Sequence, residues 1–204
     1  MTAAEPGVPS AEVRVRPLRA DARRNRERVL EAAELVLSSE GVTAPIDEVA
    51  RRAGVGVGTV YRQFPTKEAL YEAVLLRRME RLVEAARSRI GAEDPEEAFF
   101  GFLEHLVSEA ERKRDLADAL SRAGVTVDVT ASAPAQELAA AIEQLLTRAQ
   151  RAGAVRGDVG MPELFGLVAG TCMAAERQIP GACSPHRMLG IVCDGLRPAG
   201  RRGG

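Results

Sequence analysis

The stretch Ile46-Asp47-Glu48-Val49-Ala50-Arg51-Arg52-Ala53-Gly54-Val55-Gly56-Val57-Gly58-Thr59-Val60-Tyr61-Arg62-Gln63-Phe64-Pro65-Thr66-Lys67 decides how the rest of the chain is read. Ile46, Val49, Ala50 and Ala53 recur at helical spacing, which predicts a short amphipathic helix over 47–53. Gly54 stands where such a helix needs a left-handed terminal residue. A second helix is expected from about Val57 to Gln63, burying Val60 and, four residues on, Phe64. Pro65 cannot continue it, and Thr66 is a suitable cap for the next helix. Two short helices about a tight turn form a helix-turn-helix, whose second helix enters the DNA major groove while the first braces it.

The wider pattern carries a family resemblance. Ala53-Gly54-Val55-x-x-Gly58-Thr59-Val60-Tyr61-x-x-Phe64-x-x-Lys67-Glu68-x-Leu70 resembles the DNA-binding signature of the tetracycline-repressor (TetR) family of bacterial transcriptional regulators. Ala32-Ala33, Gly41 and Val49-Ala50 fall where that family has alanines, a glycine and an aliphatic-alanine pair. The resemblance covers roughly residues 25–70; beyond it the chain is similar in length and helical character, and Asp194-Gly195-Leu196-Arg197-Pro198 is similar to the close of many actinobacterial members. It implies an all-α fold of about nine helices, with a three-helix head joined by a long helix to a helical body. It also implies a homodimer on a palindromic double-stranded DNA operator, released by a small-molecule effector, with no cofactor and no metal. Pro45 departs from the pattern, which often has a phosphate-touching threonine nearby; Thr43 could replace that contact only with a shift.

The resemblance places Val57, Gly58, Thr59, Tyr61, Arg62 and Gln63 at the DNA. A helix N-terminus offers unpaired N–H groups to phosphate. Gly56 and Gly58 let the backbone approach closely but thin out base readout. Base reading then falls mainly to Arg62 and Gln63, with Val57 able to touch a thymine methyl. The hydroxyls of Thr59 and Tyr61 suit phosphate oxygens, and Lys67 reads as a phosphate clamp. Taken singly, Tyr61 is better read as a core-edge side chain and Lys67 as a solvated charge; within the full motif the DNA contact is the better reading.

Composition sets the outer bounds. The 204 residues suit one or two domains with a sizeable core. Helix formers abound, aromatics are only 3% and the net charge is −1, so any nucleic-acid contact must come from a local patch. No apolar run is long enough to cross a bilayer and no signal-peptide core precedes the first helix, so a soluble, cytoplasmic protein is expected. Cys172, Cys183 and Cys193 are widely spaced and are expected as reduced thiols, more suited to buried structural roles than to oxidant sensing.

Along the chain, residues 1–20 are expected as a disordered basic arm; the arginines from Arg14 to Arg28 read either as a solvated tail or as an arm on DNA. Helix 1 is expected over Asp21–Ser39, and the head over 21–67. A long helix from Lys67 to Ile90 belongs to both head and body, with the body taken as 68–197. Further helices are expected over Pro95–Lys113, Asp115–Ala123, Ala135–Ala152, Pro162–Arg177 and Pro185–Leu196, with residues 198–204 a disordered tail and Val125–Pro134 undecided.

Two body sites are expected. The helix around Leu164–Ala175 is apolar on most sides and needs cover on most sides. With the last helix it forms the expected dimer interface: Leu164, Leu167, Val168, Thr171, Ala175, Met188, Ile191 and Val192. An effector pocket, implied by the resemblance, draws its candidate lining from Phe99, Phe102, His105, Leu106, Leu138, Ile142, Thr171, Cys172 and Met173, though the apolar ones are each better read singly as core; such a lining favours an apolar ligand over a charged one. Catalysis has little support: His105 and His186 lie far apart, and no Ser-His-Asp, Cys-His or metal-ligand spacing is evident. A helical small-molecule-binding protein with a degenerate head is the alternative reading.

Overall fold

A computed structural model describes residues 15–41, 43–122, 129–177 and 184–199. The described residues form eight α-helices: α1 (Val15–Glu40), α2 (Ile46–Ala53), α3 (Val57–Gln63), α4 (Lys67–Ile90), α5 (Pro95–Arg122), α6 (Ala133–Arg151), α7 (Met161–Arg177) and α8 (Pro185–Leu196). The fold is all-α, and its count differs from nine because the elements expected on either side of Arg114 are one helix, α5. The charged run Glu111-Arg112-Lys113-Arg114-Asp115 interrupts the apolar period without containing a helix breaker. α1 also begins earlier than expected, so residues 15–20 are helical rather than part of an unordered arm. Pro17 falls in its first turn, where a missing N–H costs nothing. Residues 1–14 of that arm, Gly124, Cys183 and residues 200–204 of the tail lie outside the described residues.

Local chemistry sets the boundaries. Gly41 (φ 76°) ends α1 and Gly54 (φ 64°) ends α2, both in the left-handed region that costs a Cβ-bearing residue strain. The Gly54 N–H closes on the Arg51 carbonyl and the Val55 N–H on the Ala50 carbonyl, which turns the chain sharply into α3. Thr66 caps α4 by accepting from the Ala69 N–H at 3.1 Å, Ser132 caps α6 and Ser184 caps α8.

The apolar residues form two separate cores. The first joins α1, α2, α3 and the start of α4 around Val29, Ala33, Val36, Val49, Ala53, Val60, Phe64, Leu70 and Val74. The second joins the end of α4 with α5 to α8 around Ala86, Phe99, Phe102, Leu103, Leu145, Leu164, Leu189 and Leu196. Between them, α4 turns an ionic layer toward α1. Glu34 accepts from Arg78 Nε and from Arg81 Nη2, each at 2.7 Å, while Arg77 pairs with Glu27 at 3.2 Å and lies 3.9 Å from Glu34. Arg78 is buried. Burial pushes the Glu34 carboxyl up, but the hydrogen bonds and charges of Arg81 and Arg78 outweigh it and hold the group below its ordinary value.

Candidate nucleic-acid interface and ligand cavity

α3 presents a narrow reading face. Val60 and Phe64 are buried in the head core, and the Arg26 guanidinium stacks over the Phe64 ring at 4.5 Å, tying α1 to the end of α3. Tyr61, 48% exposed, and the exposed Arg62 project outward from adjacent positions. Val57 and Thr59 are half-buried, Val57 packing against the head core. Gln63 is half-buried too, with its amide oxygen enclosed and making no hydrogen bond among the described residues. Of the two residues expected to read bases, Arg62 is exposed and Gln63 is half-buried.

Gly56 and Gly58 are informative because nothing inside the chain demands them. A methyl group at either position would meet no atom within 4 Å. Gly58 sits inside α3, where glycine is destabilising by roughly 1 kcal/mol relative to alanine. A helix that carries this weakness with open space beside it is suited to close approach by something from outside.

Lys67 does not stand free as a clamp. Its ammonium donates to the Ala44 carbonyl at 3.0 Å, fastening the start of α4 to the α1–α2 connection. Arg51 and Arg52 hydrogen-bond to Glu48, at 2.7 Å or less, and Arg52 also reaches Glu40 at 2.6 Å. These bonds hold the Glu48 carboxyl down to about 2. Beside Arg62, the exposed cations of α1 that reach this end of the head are Arg26, stacked on Phe64, and Arg28, near Gly54, while Arg24 is paired with Asp21.

In the body, a cavity of about 180 Å³ opens between α5, α6 and α7, lined by Leu103, Leu106, Leu138, Ile142, Met161, Leu164, Phe165, Val168, Ala169 and Cys172. Leu106, Leu138, Ile142 and Cys172 are where the sequence reading places a pocket. The other expected lining residues do not reach it. Phe99 and Phe102 are core, and Thr171 is buried with its hydroxyl donating to the Leu167 carbonyl at 2.9 Å. Met173 is exposed, and His105 lies beside Phe102. Sequence reasoning missed Phe165, which is 68% exposed and sits at the cavity's edge. An apolar side chain next to a glycine on an all-round apolar helix gives no sign of which side it serves.

The dimer expectation divides in the same way. Leu164 and Thr171 are buried within their own chain, and Val168 lines the cavity, so these residues are not offered to a second copy. Leu167 and Ile191 are exposed, Met188 and Val192 are half-buried, and the Ala175 side chain lies outside the described residues. Exposed Gly166 and Gly170 leave open backbone beside Leu167.

α6 joins this cavity to α4. Leu138 and Ile142 face the cavity. From the same helix Glu137 pairs with Arg87 at 2.9 Å, and Arg148 donates to the Ala92 carbonyl at 2.7 Å and to the Ile90 carbonyl. Arg148 thus satisfies carbonyls at and just beyond the C-terminus of α4, where a cation is favoured.

One constellation was invisible in the sequence. Ser108 Oγ lies 3.2 Å from His186 Nε2, and Glu111 lies 3.3 Å from His186 Nδ1. The chain of contacts has the order of a nucleophile, base and orienting acid. None of the three lines the cavity, and His186 is exposed in the first turn of α8, so the contacts fasten α8 to α5 at the surface. Cys193 is buried, and desolvation pushes its thiol up to about 11, which makes it inert.

Residues 94–198, about half the chain, match the C-terminal domain model of SbtR-like transcriptional regulators, and residues 29–74 match the model of the bacterial regulatory proteins of the tetR family. The chain belongs to the TetR family. A TetR-family crystal structure from Mycobacterium vanbaalenii is 43% identical with a TM-score of 0.70, over 89% of this chain and 100% of that one. The TetR regulator SCO0520 from Streptomyces coelicolor is 34% identical with a TM-score of 0.64, over 85% of this chain and 99% of that one. Among curated relatives, the HTH-type transcriptional repressor KstR of Rhodococcus jostii is 32% identical over 125 residues, 61% of this chain and 58% of that protein. The match to KstR of Mycobacterium tuberculosis spans 60% of that protein. The chain therefore spans under two thirds of the curated TetR relatives it matches. No helix among the described residues is long and apolar enough to cross a membrane.

Proposed function

We propose that this TetR-family chain is a cytoplasmic, homodimeric transcriptional repressor that binds a near-palindromic operator and is released when a small molecule enters the α5–α6–α7 cavity. The observation that carries the reading is the outer face of α3, where Tyr61 and Arg62 project beside a glycine that no internal contact requires. Arg62 is the base reader, Tyr61 and Thr59 offer hydroxyls to phosphate, and the α1 arginines add charge alongside. Two such heads would enter successive major grooves about one helical turn apart. Exposed Leu167 and Ile191, with the bare backbone at Gly166 and Gly170, offer an apolar face to a second copy. No catalytic role is assigned to Ser108, His186 or Glu111.

Release follows from how the elements are joined. A guest between α5, α6 and α7 bears on Leu138 and Ile142, and α6 passes the displacement to α4 through Glu137–Arg87 and Arg148. The ionic layer of Arg77, Arg78 and Arg81 around Glu34 is where α4 leaves the head core. The ligand weakens DNA binding only by its differential affinity for the two head spacings.

The test is selection of an operator from a random duplex pool, followed by titration against single-base variants. Arg62→Ala is expected to relax preference at one or two positions by about 1–3 kcal/mol each. Tyr61→Phe is expected to weaken all sequences alike. Equal loss on every duplex for Arg62→Ala would remove its reading role, and recovery of no preferred sequence at all would leave a ligand-binding protein with a degenerate head. Ile191→Asp is expected to give a monomer in sedimentation; an unchanged dimer would move the interface elsewhere.

A further inference from the structure

The chemistry of the cavity wall narrows the ligand to a class. We infer that the effector is an uncharged, hydrogen-bond-poor molecule whose buried part is an aromatic ring or short hydrocarbon of roughly six to ten non-hydrogen atoms. This inference rests on reading the cavity as the effector site.

Size sets the first limit. An apolar cavity of about 150 Å³ stays dry and accepts benzene, and the present one is about 180 Å³. Polarity sets the second. Leu106, Leu138, Ile142, Leu164 and Val168 form the walls, and among the described lining residues none is charged and the only side-chain hydrogen-bonding groups are the weak sulfurs of Cys172 and Met161. The nearest hydroxyl on α7, that of Thr171, is already donated to the Leu167 carbonyl and does not line the space. A carboxylate or ammonium would lose its hydration there and gain no counter-charge. A ketone or lactone carbonyl would find no strong donor. Shape, not polar recognition, sets selectivity, and any polar part of the effector must stay at the opening beside the exposed Phe165.

The experiment uses the full chain without DNA and a matched set of probes: propylbenzene, 3-phenylpropanoate and 3-phenylpropylammonium. Calorimetric titration is expected to give propylbenzene an affinity at least thirtyfold above either ion. Ala169→Phe, which narrows the cavity, is expected to lower propylbenzene affinity at least tenfold with the helical signal unchanged. Should that variant fail to fold, nuclear Overhauser contacts from propylbenzene to the Leu138 and Ile142 methyl groups in the wild-type chain locate the guest. An ion that binds as tightly as propylbenzene overturns the inference. So does absence of propylbenzene binding up to its solubility, or contacts to methyl groups other than those of the cavity. Operator affinity is measured separately. If propylbenzene binds as expected and leaves that affinity unchanged, the ligand class stands and the release reading falls. If it fails to bind while the operator is recognised, the ligand class falls and the DNA-reading role stands.

Discussion

The two apolar cores of this chain are built to different standards. The head core joins α1, α2, α3 and the start of α4 mostly with small and branched side chains; Phe64 and Tyr71 are its two aromatic rings, and the Arg26 guanidinium stacks over the first. The body core holds the large rings Phe99, Phe100 and Phe102, yet it leaves a cavity of about 180 Å³ and keeps Phe165, Leu167 and Ile191 at the surface. On the proposed reading, the head holds one geometry, whereas the body has room for a guest and a face for a partner. The ionic layer at Glu34 lies between them, and charges paired across it can shift by small distances more readily than interlocked apolar side chains.

Matched substitutions in the two regions put that contrast under strain. Phe64→Ala is expected to destabilise the head by about 3–5 kcal/mol and abolish operator binding, while Phe165→Ala in the body changes stability by less than about 0.5 kcal/mol; chemical denaturation of both variants checks this. Similar losses would mean that Phe165 is packed in the body rather than exposed at the cavity's edge.

Glu34→Gln attacks the layer between the cores, leaving the buried Arg78 without its charge partner. A loss of about 1–3 kcal/mol at neutral pH is expected, reduced from that of a fully buried pair by the layer's partial exposure. Acid should act in the same direction. The Glu34 carboxyl lies below its ordinary value of 4.5 in the folded chain, so its stabilisation is present above that pH and fades as pH falls through the folded value. Glu48 behaves alike between 4.5 and about 2. Stability measured against pH should therefore decline less steeply below 4.5 in Glu34→Gln than in the wild type.

Gly54→Ala is expected to cost about 1–2 kcal/mol, because the turn before α3 holds φ at 64°. Gly58→Ala is small in stability and the most diagnostic. It should stabilise the free chain by up to about 1 kcal/mol in thermal melting, since its methyl group meets open space, yet weaken operator binding. Unchanged operator affinity would mean that no backbone approaches DNA there.

These contrasts explain what was legible in the sequence. The head is written in local signals: Gly41, Gly54, Pro65 and Thr66 mark ends that depend on one or two residues each. The start of α1 at Val15 and the continuity of α5 through Lys113 and Arg114 were not legible, because charge interrupts the apolar period without breaking a helix. In α7 the periodicity fails for the opposite reason. Leu164 and Leu167 are the same residue three positions apart, yet one is buried in its own core and the other is exposed. Which neighbour covers which side is a tertiary fact that no single helix encodes. The same holds for Lys67, whose Ala44 partner lies 23 residues away.

The claim at the centre of this account is that the sensing body reaches the reading head through α6 and α4. Amide hydrogen exchange of the full chain, with and without saturating propylbenzene, tests it most directly. The expected result is new protection in α5, α6 and α7 around the cavity together with altered exchange in α4 from Arg77 to Ile90, while α2 and α3 keep their own protection. Protection confined to α5, α6 and α7, with α4 unchanged, would contradict it.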